Sequence, residues 1–139
     1  MYVIDTNVVS ELRETKSRPA NPRVVAWTRS VAAESIYLSS ISVFELEMGI
    51  LSIERRNRAQ SAVLRKWLSE VVLVGFAGRI LPVDLDVSLR CAALHVPKIQ
   101  PDNDAWIAAT ALVHGMTVVT RNVVDFQPMG VAVLNPWEF

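Results

Sequence analysis

Short apolar runs rich in β-branched residues recur at Tyr2–Ile4, Ile36–Leu38, Arg79–Val83, Met116–Thr120 and Val131–Leu134. Most are unbroken rather than alternating, the pattern of strands buried on both faces of a parallel sheet. The intervals between them carry helical spacing. Asn21-Pro22 supplies a cap and a first-turn proline for a helix Pro22–Ala33 holding Val24, Val25, Trp27 and Val31. Ser42-Val43-Phe44-Glu45 fits a capping box opening a helix that runs through Ile53. Asn57–Leu73 places Ala59, Val63, Leu64, Trp67, Leu68 and Val71 at helical intervals. Asp84 caps a helix with Leu85, Leu89, Ala92 and Ala93, and Asp102 or Asn103 caps a helix through His114 that Gly115 ends. Strands alternating with helices predict an α/β sandwich around a mainly parallel sheet.

Composition narrows the class. At 139 residues the chain suits one domain, residues 1–139, and with 51% apolar residues it can bury a core without staples. The single cysteine, Cys91, offers neither an internal disulfide nor a zinc framework, which suits a reducing compartment. The opening Met1-Tyr2-Val3-Ile4-Asp5 lacks a basic signal-peptide region, and Arg79 ends the apolar run Val71–Gly78 well short of a membrane span. The expectation is a soluble cytoplasmic protein that does not enter a membrane. A mean hydropathy of +0.28 is high for so small a soluble chain and points to a partner or a second copy covering apolar surface. Trp27 and Trp67 are candidate anchors for such an interface, with burial in the core as the alternative for each.

Net charge is zero but unevenly laid out. Glu11–Lys66 carries ten Lys/Arg against six Asp/Glu, whereas Trp67–Phe139 carries four against seven. The basic groups Arg13, Lys16, Arg18, Arg23 and Arg55, Arg56, Arg58, Arg65, Lys66 read either as solvated surface or as a phosphate-attracting rim around an acidic centre.

Nucleotide-binding glycine loops, Gly-x-Ser-x-Gly turns and metal-ligand spacings of His95, His114 and Cys91 are all missing. Carboxylates remain. Asp5 directly follows the first apolar run, at the carboxyl edge where open α/β sheets bind ligands, with Thr6 and Asn7 beside it to orient it. Capping the helix Val8–Leu12 is its other reading. Glu45 lies one turn into the helix after the second strand, where the capping box would equally employ it. Asp104 starts the helix before the fourth strand, and a right-handed crossover brings that helix start to the same edge. Asp102 stands two positions away, so the two cannot both point inward with ease. Asn122 and Asp125 follow the fourth strand. Several acids on one edge repel one another unless a cation compensates, and an oxygen-only ligand set selects a hard ion, Mg²⁺ or Mn²⁺. Such a site can hold a water nucleophile against a phosphodiester.

These segments resemble a known family. Tyr2-Val3-Ile4-Asp5-Thr6-Asn7 is similar to the opening of PIN-domain proteins, Ser42–Gly49 to their second acidic motif, Asp104–Ala111 to their third, and Thr120-Arg121-Asn122 with Asp125-Phe126 to their fourth. Phe76–Pro82 and Val133–Trp137 resemble the VapC/FitB branch, toxins of bacterial toxin–antitoxin pairs. The resemblance implies a PIN-like three-layer sandwich, a central sheet of about five strands flanked by helices. It also implies a Mg²⁺-dependent ribonuclease, usually homodimeric, held inactive by an antitoxin encoded beside it and meeting DNA only through that antitoxin. Asp5, Glu45 and Asp104 are then the catalytic metal ligands. Asn122, Asn7 and Thr6 stand behind them. Two departures stand out. Asn122 is neutral where many relatives carry an acid, so either Asp125 supplies the charge or the site runs on three carboxylates; the connection Leu94–Pro101 is short. An antitoxin tail is expected to present Arg or Lys to these acids.

Two rival classes differ at identifiable positions. An aspartyl-phosphate phosphatase wants a second acid two residues after its nucleophile, and position 7 is Asn7. A non-catalytic interaction module whose acids only cap helices would take up no Mg²⁺ or Mn²⁺.

Overall fold

The computed structural model describes residues Met1–Phe139. Five strands, β1 Tyr2–Ile4, β2 Ile36–Ser39, β3 Ile80–Leu81, β4 Thr117–Val119 and β5 Val133–Leu134, form one sheet in the order β3-β2-β1-β4-β5. Every pairing is parallel, so the expected sheet is wholly rather than mainly parallel. In register, Ile4 lies between Leu38 and Val119. The central strand therefore ends level with its two neighbours, and whatever follows each of the three meets at one edge.

Alternate residues of these short strands enter different cores. Val3 and Val118 pack under α6 (Leu85–Leu94), α7 (Asp102–His114) and α8 (Val123–Phe126) with Val87, Cys91, Ile107 and Phe126. Ile4, Leu38 and Val119 pack on the other face with Val8, Val9, Trp27, Leu46, Ile50, Leu68 and Val72. Those residues come from α1 (Thr6–Glu11), α2 (Pro22–Ser30), α3 (Ser40–Glu54) and α4 (Arg58–Trp67) with the turns that follow it. Burial on both faces is why the strands read as unbroken apolar runs.

Several helix signals hold and some shift. Asn21 caps α2 through the Arg23 and Val24 amides, Asp84 caps α6 through Val87, and Gly115 closes α7 at φ 64°, a left-handed position suited to glycine. The expected Ser42–Glu45 capping box does not form. Ser39, the last residue of β2, caps α3 by accepting from the Ile41 amide at 3.1 Å, so Ser42 is already inside the helix and buried. Asp102 and Asn103 cap nothing; α7 begins after Pro101 with no side-chain cap. The expected helix Asn57–Leu73 is capped by Asn57 but changes to a π turn at Leu68–Val72 before α5 (Leu73–Gly75), leaving Val71 exposed and Val72 buried.

Arg79 ties the β2–β3 side together. Its guanidinium donates to the carbonyls of Ala33, Ile36 and Gly75, cross-linking the start of β2 to the end of α5 while lying over the Phe76 ring. Trp27 is core, 1% exposed, with Tyr2 edge-on at 5.3 Å, so it anchors no interface. Trp67 is half-buried. No helix is long and apolar enough to cross a membrane.

Candidate active site

Asp5 leaves β1 at the centre of the sheet edge, its amide still bonded to the Val119 carbonyl of β4. It is 4% exposed and serves as N-cap of α1, Oδ1 accepting from the Thr6 amide at 2.7 Å. Capping engages one oxygen and leaves the other to partners across the sheet edge. That other oxygen, Oδ2, accepts from the Thr120 hydroxyl at 2.8 Å and from the Asn7 amide at 3.3 Å. Thr120 follows β4 directly, and the parallel register sets it beside Asp5. It is fully buried and also accepts from the Asn122 amide at 2.9 Å.

Thr6 links Asp5 to the neighbouring strand's helix. Its Oγ1 lies 2.7 Å from Glu45 Oε1 and 2.9 Å from Ser42 Oγ. A hydroxyl has one proton and a carboxylate only accepts, so Thr6 donates to Glu45 and receives from Ser42. Glu45 is released from capping and turned toward the sheet edge. Ser42 serves Thr6 instead of the capping box expected of it, and Thr120, expected only as part of the fourth motif, holds Asp5.

Asp104 sits in the first turn of α7, half-buried, whereas the side chain of Asp102 is 86% exposed and lies 4.0 Å from His95. The two diverge as their spacing demands. Burial first, then the charges of Asp5, Asp125 and Glu45, push the Asp104 carboxyl up to about 6. Burial likewise raises Asp5; hydrogen bonds from Thr120 and Thr6 pull it back, and Glu45 and Asp125 push it up again. Asp5 and Asp104 therefore both feel the charges of Glu45 and Asp125. Asp125, in α8, contributes charge from an exposed position, and Asn122 is exposed with no side-chain cap bond.

The donors are carboxylate, amide and hydroxyl oxygens, with no imidazole or thiolate among them, and they suit a hard divalent ion in kind. As the side chains stand, no three His, Cys, Asp or Glu close around one point tightly enough to enclose an ion directly.

The PIN-domain profile matches residues 2–127. The chain belongs to the PIN-domain family. Two curated PIN relatives match over 99% of this chain and 99% of their own: toxin FitB of Neisseria gonorrhoeae, 42% identical, and VapC ribonuclease Y4jK of Sinorhizobium fredii, 38% identical. Among solved structures, FitAB bound to an IR36 DNA fragment superposes with a TM-score of 0.87 and 39% identity, over 100% of this chain and 97% of that one. The similarity to FitB and VapC thus extends over nearly the whole chain rather than Phe76–Pro82 alone.

The proposed basic rim divides. Arg13 and Arg18 line a groove of about 290 Å³ that starts at Thr6 and Glu45. Arg55, Arg58 and Arg65 line separate surface hollows around the α3–α4 turn.

Proposed function

We propose that this protein is a metal-dependent endoribonuclease, the toxin of a toxin–antitoxin pair. The supporting observation is the gathering of Asp5, Glu45, Asp104 and Asp125 at one sheet edge, where burial and then the charges of its neighbours push Asp104 up to about 6. Relatives named as ribonuclease and toxin over the full length give the chemistry its direction. Asp5, Asp104 and Glu45 would hold Mg²⁺, or Mn²⁺, with Asp125 as a further source of charge and Asn122 reaching the ion through water. When bound, the ion would polarise an RNA phosphodiester and activate a water for attack at phosphorus. The chain's own contribution is orientation and restraint. Thr120, Asn7 and the Thr6 amide fix Asp5, and Thr6 fixes Glu45, so little reorganisation is left for the moment of reaction.

The proposal includes a cognate antitoxin encoded by an adjacent gene, through which alone the protein would meet DNA, and a homodimer. The FitAB assembly on DNA supports the first. Leu85 and Leu89 on α6, 72% and 63% exposed, with Val96 and Ile99 beyond it, support a second copy as the cover for this apolar surface.

Asp5→Asn tests the site. It should abolish Mg²⁺-stimulated cleavage of RNA while the melting temperature holds, because removing a buried charge relieves repulsion. Cleavage at the parental rate refutes the assignment, and absence of Mg²⁺ or Mn²⁺ uptake by the parent in calorimetry favours a non-catalytic module.

A further inference from the structure

A crevice holding four carboxylates repels a polyanion, so RNA needs fixed positive charge on either side of it. Arg18 and Arg65 are already engaged, with Glu11 and Glu47. Arg13 and Arg121 are not. Arg13 follows α1 with its guanidinium carbon 6.0 Å from the centre of the Trp67 ring, and both residues line the groove that opens at Thr6 and Glu45. Arg121 follows Thr120 on the opposite side of β1, with its guanidinium carbon 5.2 Å from the centre of the Trp137 ring. Its backbone amide donates to Asn7 at 3.4 Å, so it is built into the same edge. Neither forms an ion pair. A guanidinium held at an indole face keeps N–H donors for phosphate oxygens.

Resting on the ribonuclease reading, we propose that these two arginine-on-tryptophan stacks are the anchors of a single-stranded RNA track. The strand crosses the carboxylates between them, with phosphates on Arg13 and Arg121 and a base against the exposed part of Trp67 in the groove. Cationic points beside aromatic faces are the surface chemistry of single-strand binding. The groove commits to an unpaired strand, because a base must leave its stack to enter it.

The test measures affinity for a single-stranded RNA oligonucleotide in EDTA over a range of NaCl concentrations. Arg13→Gln and Arg121→Gln should each lower the slope of log Kd against log[NaCl] by about 0.7, the value of one phosphate contact on a single strand. Arg13→Lys, which keeps the charge, should retain the slope, as should Arg90→Gln on the outer face of α6. Parental slopes in both glutamine variants, in a protein that still cleaves RNA, overturn the track and leave the ribonuclease reading standing. A parent that neither binds nor cleaves RNA with Mg²⁺ or Mn²⁺ overturns both. Unchanged RNA binding by Arg13→Gln, with lost association of the co-expressed antitoxin, overturns the track and assigns the groove to protein.

Discussion

Asp104→Asn separates the cost of the carboxylate cluster from its use. A carboxyl moved from 3.8 to about 6 is destabilised in its charged form by about 3 kcal/mol, at 1.36 kcal/mol per tenfold change in proton affinity. Asp104 is only half-buried, and solvent screening reduces that to about 1.5 kcal/mol. Its position in the first turn of α7 returns about 0.3–1 kcal/mol through the helix dipole, which the amide forfeits. The net expectation is that Asp104→Asn stabilises the metal-free protein at pH 7 by about 0.5–1 kcal/mol, or about 2–3 °C in Tm. The sign follows from linkage. The folded state binds this proton more tightly than the unfolded chain, so the parent loses stability relative to the variant as pH rises from about 4 to 6, and the gap is constant above. Thermal melts in EDTA at pH 4, 5, 6 and 7 measure it. Mg²⁺ should reverse the order: an ion at ten times its Kd stabilises the parent by about 1.4 kcal/mol and the variant by less. A gap of the same size at pH 4 and pH 7, or equal Mg²⁺ stabilisation of both proteins, refutes the reasoning.

Asp125→Asn should leave Mg²⁺ dependence of cleavage nearly unchanged, since Asp125 contributes charge from an exposed position; a several-fold rise in the Mg²⁺ concentration needed for half-activity makes it a ligand instead. Arg79→Met should cost about 2 kcal/mol, or about 6 °C in Tm, by leaving three carbonyls without their charged donor; an unchanged melt removes the cross-link from the account of stability. Leu89→Glu should convert a dimer to a monomer in sedimentation at micromolar concentration, and a dimer that survives it lies on another face.

The architecture was legible because burial on both faces leaves unbroken β-branched runs, and the five runs match the five strands apart from their ends. Asp5, Glu45 and Asp104 could be assigned to one edge by topology alone. Their partners could not. Thr120 reaches Asp5 only through the register of β1 on β4, and a register leaves no trace in a run of three apolar residues. Ser42 misled because a capping box is a local pattern, and Ser39, three residues earlier, met the same need as soon as the strand ended. The π turn at Leu68–Val72 has no proline or glycine within it to announce it. Trp27 and Trp67 look alike as interface anchors, and only packing puts the first on the buried face of α2 and the second beside a groove.

The strand order has a consequence for when the protein becomes active. β1 is made first, yet its second edge is filled only by β4, and Asp5 meets Thr120 across 115 positions of sequence. Contacts of such separation form late, after the entropy of closing the intervening chain has been met. A growing chain can pair β1 with β2 and form the Thr6–Glu45 bond while still lacking Asp104 and Thr120. Until residue 120 has left the ribosome, Asp5 lacks the Thr120 hydroxyl and β1 has no partner on its second edge. For an enzyme read as a hydrolase of RNA, the ordering delays competence until the chain is nearly all synthesised.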